Sequence, residues 1–200
     1  MSSAKLFLLS PANCGGERAR LLFNEHAQFD LAREVRSRRG APIGDVFAFL
    51  SGLYFRGKLA YARRFAPSPD VALVITSNRG LVSPDARVTL NDLRALGDVP
   101  IDARDLRYRE PLERDARALA GRAATAQVVL LGSVASGKYV DVLLDVFGAR
   151  LHFPADFVGR GDMSRGGLML RAVDAGFELP YIPVSGAVLR GKRPPKLQRR

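Results

Sequence analysis

The eight residues Gly132-Ser-Val-Ala-Ser-Gly-Lys-Tyr139 follow an apolar run and match the phosphate loop Gly-x-x-x-x-Gly-Lys-[Ser/Thr] everywhere but at the last position. In that loop backbone N–H groups cradle phosphates, the lysine reaches the terminal ones, and the short hydroxyl binds Mg²⁺. Tyr139 stands where the hydroxyl belongs, and a phenol cannot replace it in the same geometry. No apolar strand ending in Asp is on hand for the far side of the metal. Two readings stay open. Gly137, Lys138 and Tyr139 contact an anion at a helix N-terminus without a metal, or the segment is a tight strand-to-helix turn that needs small residues. Nucleotide hydrolysis is the least favoured chemistry here.

The segment Pro154–Gly167 is denser still, with four glycines, two arginines, two aspartates and a serine. Arg160 and Arg165 suit a phosphate or a carboxylate. Asp156 or Asp162 suits orienting a nucleobase or polarising a water, and Asp162 or Ser164 suits capping a helix. Gly159 and Gly161 let backbone approach a ligand. The competing reading is a capped loop whose Arg and Asp side chains neutralise one another.

Three more stretches offer chemistry with a plainer alternative beside it. Asn78-Arg-Gly-Leu-Val-Ser-Pro-Asp85 is explained by turns at Gly80 and at Ser83-Pro-Asp, or forms a pocket wall in which Asn78 faces a ligand. Ser10-Pro-Ala-Asn-Cys-Gly-Gly16 offers Ser10 and Asn13 as ligand contacts. Its Cys14 is a thiol of lowered pKa at a helix start, or a small packing residue. Leu53–Phe65 interleaves aromatics with Arg56, Lys58, Arg63 and Arg64. That is how single strands and flipped bases are held. At helical spacing, however, Leu53, Tyr61 and Phe65 read as core and the arginines as a solvated face.

These loops need elements to position them. Apolar runs at Lys5–Ser10, Val71–Thr76, Gln127–Leu131, Leu151–Phe153 and Tyr181–Val184 read as strands. Helical patterning occupies Gly15–Ser37, Val46–Ala66 (with a break at Gly52 or Gly57), Pro111–Gly121, Lys138–Phe147 and Met163–Ala175. Continuous apolar strands separated by helices imply an α/β fold, a Rossmann-like, mostly parallel sheet flanked by helices. Residues 1–188 form one domain and residues 189–200 a basic flexible tail. Ligands bind beyond the carboxyl ends of such strands. That selects Ser10–Gly16, Ser77–Asp85, Gly132–Tyr139 and Pro154–Arg165, and predicts one hollow bordered by Gly80, Gly137 and Gly161.

The 200 residues are 47% hydrophobic and 26% charged, which excludes wholesale disorder. One cysteine excludes a disulfide framework, and with only His26 and His152 beside it a Cys- or His-rich metal site is not expected. No cofactor is expected either. No apolar run spans a bilayer or makes a secretory signal, so the expectation is a soluble cytoplasmic protein without a membrane partner. Thirty-one Lys and Arg face 20 Asp and Glu, a net +11. An excess of that size suggests a polyanion, usually nucleic acid. The tail from Arg190 to Arg200, including Lys192, Arg193 and Lys196, carries six of the basic residues and no acid. The body keeps 25 against 20, so about half of the excess is an arm suited to phosphate contact.

The order of these pieces resembles the YaaA peroxide-stress family and a related group of α/β proteins found with DNA-modification and phage genes. The resemblance rests on Ser10-Pro-Ala12 after the first strand, on Ser51, Tyr54, Phe55, Tyr61 and Ala62, and on Gly80-Leu-Val82 with Pro84-Asp85. It continues through Gly132, Gly137 and Tyr139 before a helix, and through Pro154 with Gly159 and Gly161 before the last one. It covers roughly residues 5–170. Arg79-Gly80 stands where those relatives typically carry Tyr-Gly or His-Gly, and Asn13-Cys14 where they often carry Lys. The resemblance implies DNA binding that limits oxidative damage, with a fold akin to proteins that handle modified bases or glycosidic bonds. The leading expectation is a DNA-binding or DNA-maintenance protein, with DNA ahead of RNA, whose strand-end pocket takes a nucleoside or flipped base. The alternative is an enzyme on a base–sugar bond. There Asp162 or Asp85 would stabilise an oxocarbenium-like centre or activate water, with Arg165 near phosphate.

Overall fold

The computed structural model describes residues 4–135, 137–192, 194, 195 and 197. The chain runs β1 (Lys5–Leu9), α1 (Glu17–Phe23), α2 (Asp30–Arg36), β2 (Ala41–Pro42), α3 (Ile43–Ser51), α4 (Leu53–Phe65), β3 (Ala72–Ile75), β4 (Leu81–Val82) and β5 (Arg87–Val88). It continues with α5 (Leu90–Gly97), α6 (Leu106–Arg122), β6 (Gln127–Leu131), α7 (Gly137–Phe147), β7 (Leu151–Pro154), α8 (Asp162–Ala175) and β8 (Tyr181–Pro183). The expected α/β class is what folds: a six-stranded sheet in the order β4-β3-β1-β6-β7-β8, covered by helices. β3, β1, β6 and β7 are parallel, and the edge strands β4 and β8 are antiparallel. β2 and β5 pair separately as a short antiparallel ribbon.

The continuous apolar runs have the physical cause expected of them. Phe7, Leu8 and Leu9 of β1 and Val128 to Leu131 of β6 are buried throughout, because helices cover both faces of these central strands. Leu8 sits beside Leu73 on one side and Leu130 on the other. From β1 the chain crosses to β3, and later returns past β1 to build β6. The crossover direction therefore reverses between β1 and β6. Loops leaving the carboxyl ends of those two strands diverge, which leaves a crevice at that point.

Two helices close the crevice from the side. Gly52 separates α3 from α4 with φ 60° and ψ −132°, a backbone conformation essentially confined to glycine. Of the two breaks the sequence allows in Val46–Ala66, it is Gly52 that operates, while Gly57 lies inside α4. Gly57 instead permits contact with α8. A Cβ there would lie 2.7 Å from the Gly166 carbonyl oxygen, and one on Gly166 would lie 2.6 Å from the Leu53 carbonyl oxygen. The two backbones touch, and that crossing fixes α4 side chains relative to those of α8.

Boundaries depart from expectation where capping decides them. α6 begins at Leu106, not Pro111, because the Asp105 side chain accepts a hydrogen bond from the Arg107 N–H. α5 rests on a capping box between Thr89 and Asp92, a signal the apolar periodicity does not carry.

Candidate functional site

The crevice between β1 and β6 is a hollow of about 500 Å³, within the range of small-ligand sites. Ser10 and Asn13 border it from the loop after β1, Lys138 and Tyr139 from the start of α7, Tyr54 from α4 and Asp162 from α8. A second hollow of about 460 Å³ adjoins it along Pro11 to Asn13, Ile101 and Lys138, and reaches Ser77 and Asp102. The two make one cleft across the carboxyl end of the sheet.

Behind this lining lies a buried polar cluster. Lys58 of α4 is 1% exposed. Its Nζ lies 2.7 Å from Ser10 Oγ, donates to the Ser10 carbonyl oxygen at 2.9 Å, and stands 4.0 Å from the Tyr54 ring centroid. Burial pushes the amine down to about 7; the Asp162 carboxylate opposes that fall and the Arg165 guanidinium adds to it. Arg165, also buried, donates from Nε to the Phe157 carbonyl oxygen at 3.2 Å and from Nη1 to Asp162 Oδ1 at 3.3 Å. The Asp162 side chain stays two-thirds exposed, so its carboxylate is tethered yet open to the cleft. The Tyr54 hydroxyl sits beside Arg165 but has no well-formed hydrogen bond among the described residues.

Tyr139 completes the cluster. Its hydroxyl donates to the Ser133 carbonyl oxygen at 2.9 Å and lies beside the Ser10 side chain, while burial raises its pKa. Gly132 makes room for this. A Cβ there would lie 2.7 Å from Ser10 Cβ and 2.9 Å from the Tyr139 hydroxyl. In a nucleotide-hydrolysing loop the equivalent hydroxyl reaches outward to Mg²⁺, whereas here the phenol closes the loop on itself.

The structure brings together Ser10, Asn13, Lys138, Tyr139 and Asp162, with Gly137 one residue away and Arg165 just behind. It sets others apart. Gly80 does not border the cleft, so the single hollow expected for Gly80, Gly137 and Gly161 is not formed. β4 turns back antiparallel on β3, and the resulting tight turn packs Gly80 against Asp115 and Pro111 of α6. Asn78 donates to the Ala95 carbonyl oxygen outside the lining. Asp85 pairs with Arg63 at 3.0 Å in a separate hollow with Ala72, at the amino end of β3. Asp85 and Asp162 thus occupy different sites. Gly161 borders a further hollow of about 390 Å³ with Pro194 and Pro195, and Gly159 packs against Gly191 and Lys192.

Of the residues expected on nucleic acid, Lys58 is corrected: burial and its bonds to Ser10 leave no face for a phosphate. Arg56, Arg63 and Arg64 are exposed on α4. Arg190 donates to the Ala135 carbonyl oxygen at 3.1 Å, at the loop that opens α7, and Lys192 is exposed. Arg193 and Lys196 lie outside the described residues. Of the two readings of Cys14, the structure supports packing. The side chain is buried with its Sγ 3.9 Å from the Ala12 carbonyl oxygen, and burial raises the thiol to about 12. Sequence reasoning left Tyr54 and Ser51 off the list of site residues, although both stand in the resemblance pattern. It missed Ile101 and Asp102 as well, which lie in the loop between α5 and α6, where no apolar run marks a site.

A scan against protein-family models finds no match, and neither the curated proteins nor the solved structures yield one.

Proposed function

We propose that the protein binds DNA and takes a nucleoside or an extruded base into the crevice between β1 and β6. The observation that carries this reading is the meeting, at the point where the crossover direction reverses, of a nucleoside-sized hollow with polar contacts from Ser10, Asn13, Lys138 and Asp162 and with the aromatic side chains of Tyr54 and Tyr139. The net charge of +11 and Arg56, exposed at the crevice end of α4, supply phosphate contacts around it. The resemblance to the YaaA family favours the same partner.

Binding of a fluorescent oligonucleotide, followed by anisotropy over a salt series, tests the reading. Affinity falls steeply with salt, by about 0.9 in log K per log salt for each duplex phosphate contact. A flat salt response overturns it. Lys138→Ala weakens binding a few-fold, as expected for one rim cation.

The second reading, cleavage of a base–sugar bond, is favoured by Asp162 alone. Its carboxylate faces the cleft while Arg165 holds it in place. In that case base release from modified DNA is lost in Asp162→Asn. Retention of base release in that variant removes Asp162 from the role.

A further inference from the structure

Lys58 is odd for a structural lysine. Buried lysines are rare unless paired, and an unpaired buried charge is strongly disfavoured. Among the described residues no carboxylate comes within ion-pairing distance of its Nζ. The Nζ instead meets a hydroxyl, a carbonyl oxygen and an aromatic face. The hydroxyl belongs to Ser10, which borders the crevice, whereas Lys58 lies behind it. A nucleophile at the wall with a base behind it, 2.7 Å away, is the arrangement of serine–lysine acyl-transfer centres.

We propose that Ser10 and Lys58 form a nucleophile–base pair, and that the crevice hydrolyses a carboxylic ester or amide through an acyl-Ser10 intermediate. With Lys58 neutral, the 2.7 Å contact runs from the Ser10 hydroxyl to the amine lone pair. The Ser10 oxygen then attacks the carbonyl carbon and its proton moves to Lys58. The bond from that carbon to the leaving oxygen or nitrogen breaks, and the leaving group takes the proton from Lys58. Water attacks the acyl-Ser10 carbonyl, Lys58 accepts its proton, and the Ser10 oxygen departs as the carboxylic acid forms. Lys58 returns the proton to Ser10. The sum is one ester or amide and one water giving one acid and one alcohol or amine.

The remaining groups fit these steps. The second bond from Lys58, to the Ser10 carbonyl oxygen, fixes the amine against the strand end. Tyr139 places a second hydroxyl beside Ser10, from α7. The charged and titratable groups acting on Lys58 are Asp162 and Arg165 of α8, with Tyr54 of its own helix against it. Burial dominates them and holds the amine near 7, so a large share of it is unprotonated at neutral pH.

The proposal does not depend on the nucleic-acid reading, and its test contains no nucleic acid. The full chain is incubated with a fluorophosphonate probe, whose fluoride leaves as the Ser10 oxygen bonds to phosphorus and Lys58 takes the proton. Intact mass and peptide mapping give the expected result of one adduct per chain, on Ser10, absent from Ser10→Ala. Its rate rises through a midpoint near pH 7 to a plateau. Lys58→Met slows labelling at least about 100-fold. Asp162→Asn moves the midpoint downward, because the carboxylate that favours the ammonium is gone. That shift serves as the readout if Lys58→Met does not fold. No adduct on Ser10 in the folded chain, a rate that climbs past pH 10 without a plateau, or a Lys58→Met or Asp162→Asn protein that labels with the wild-type rate and midpoint overturns the proposal.

Discussion

Lys58 links the cleft to the stability of the whole fold. An amine held near 7 in the folded chain titrates near 10.4 once unfolded. Between those values the unfolded chain binds a proton that the folded chain does not, so stability rises with pH across the window. Below about 7 both states are protonated and the full cost of burying the ammonium, a few kcal/mol, is present. Urea melts at pH 7, 8 and 9 therefore show the wild type gaining stability relative to Lys58→Met. A difference between the two proteins that stays constant with pH contradicts a buried, depressed amine. The comparison has to be differential. The Cys14 thiol, raised by burial, acts in the opposite sense, because its unfolded form ionises above about pH 8.5 and draws stability away. Ser10→Ala leaves this pH dependence largely in place, since burial is its main cause.

At the scale of elements, the site exists because α4 and α8 touch. Tyr54 and Lys58 come from one helix, Asp162 and Arg165 from the other, and Gly57 against Gly166 sets their spacing. Gly166→Ala forces the backbones apart and costs about 1–3 kcal/mol, read as a lower melting temperature. Because the helices carry the cluster, the same variant also loses binding to the crevice. A variant as stable as wild type shows that the crossing is looser than the contact implies. This crossing was present in the sequence only as two glycines in unrelated places. One read as a possible helix break and the other as part of a glycine-rich loop, since proximity across 109 positions leaves no local mark. What periodicity and apolar runs do record is the order of strands and helices, because covering a strand on both faces imposes a continuous apolar run locally. They record the cleft less well. Ser10, Asn13, Lys138, Tyr139 and Asp162 were legible as strand-end polar residues, whereas Gly80 and Asp85 were misplaced because β4, a strand the sequence does not mark, turns back on β3. Lys58 was read as a surface cation from its basic, aromatic surroundings. Its burial follows from which face of α4 the sheet covers, and nothing in Leu53–Phe65 settles that by itself.

At the scale of the molecule, charge and cleft must act together if DNA is the partner. Removing residues 190–200 takes away six of the 31 basic residues, so the salt dependence of binding becomes shallower and affinity drops. An unchanged salt slope assigns the phosphate contacts to the body, with Arg56 at the crevice end of α4 the first candidate. The most direct test of the crevice is a crystal of the full chain grown with a short single-stranded oligonucleotide. The expected density shows one base between the Ser10–Asn13 loop and the start of α7, with its phosphate toward Lys138. An oligonucleotide bound at the amino ends of the strands, with the crevice between β1 and β6 unfilled, contradicts the assignment.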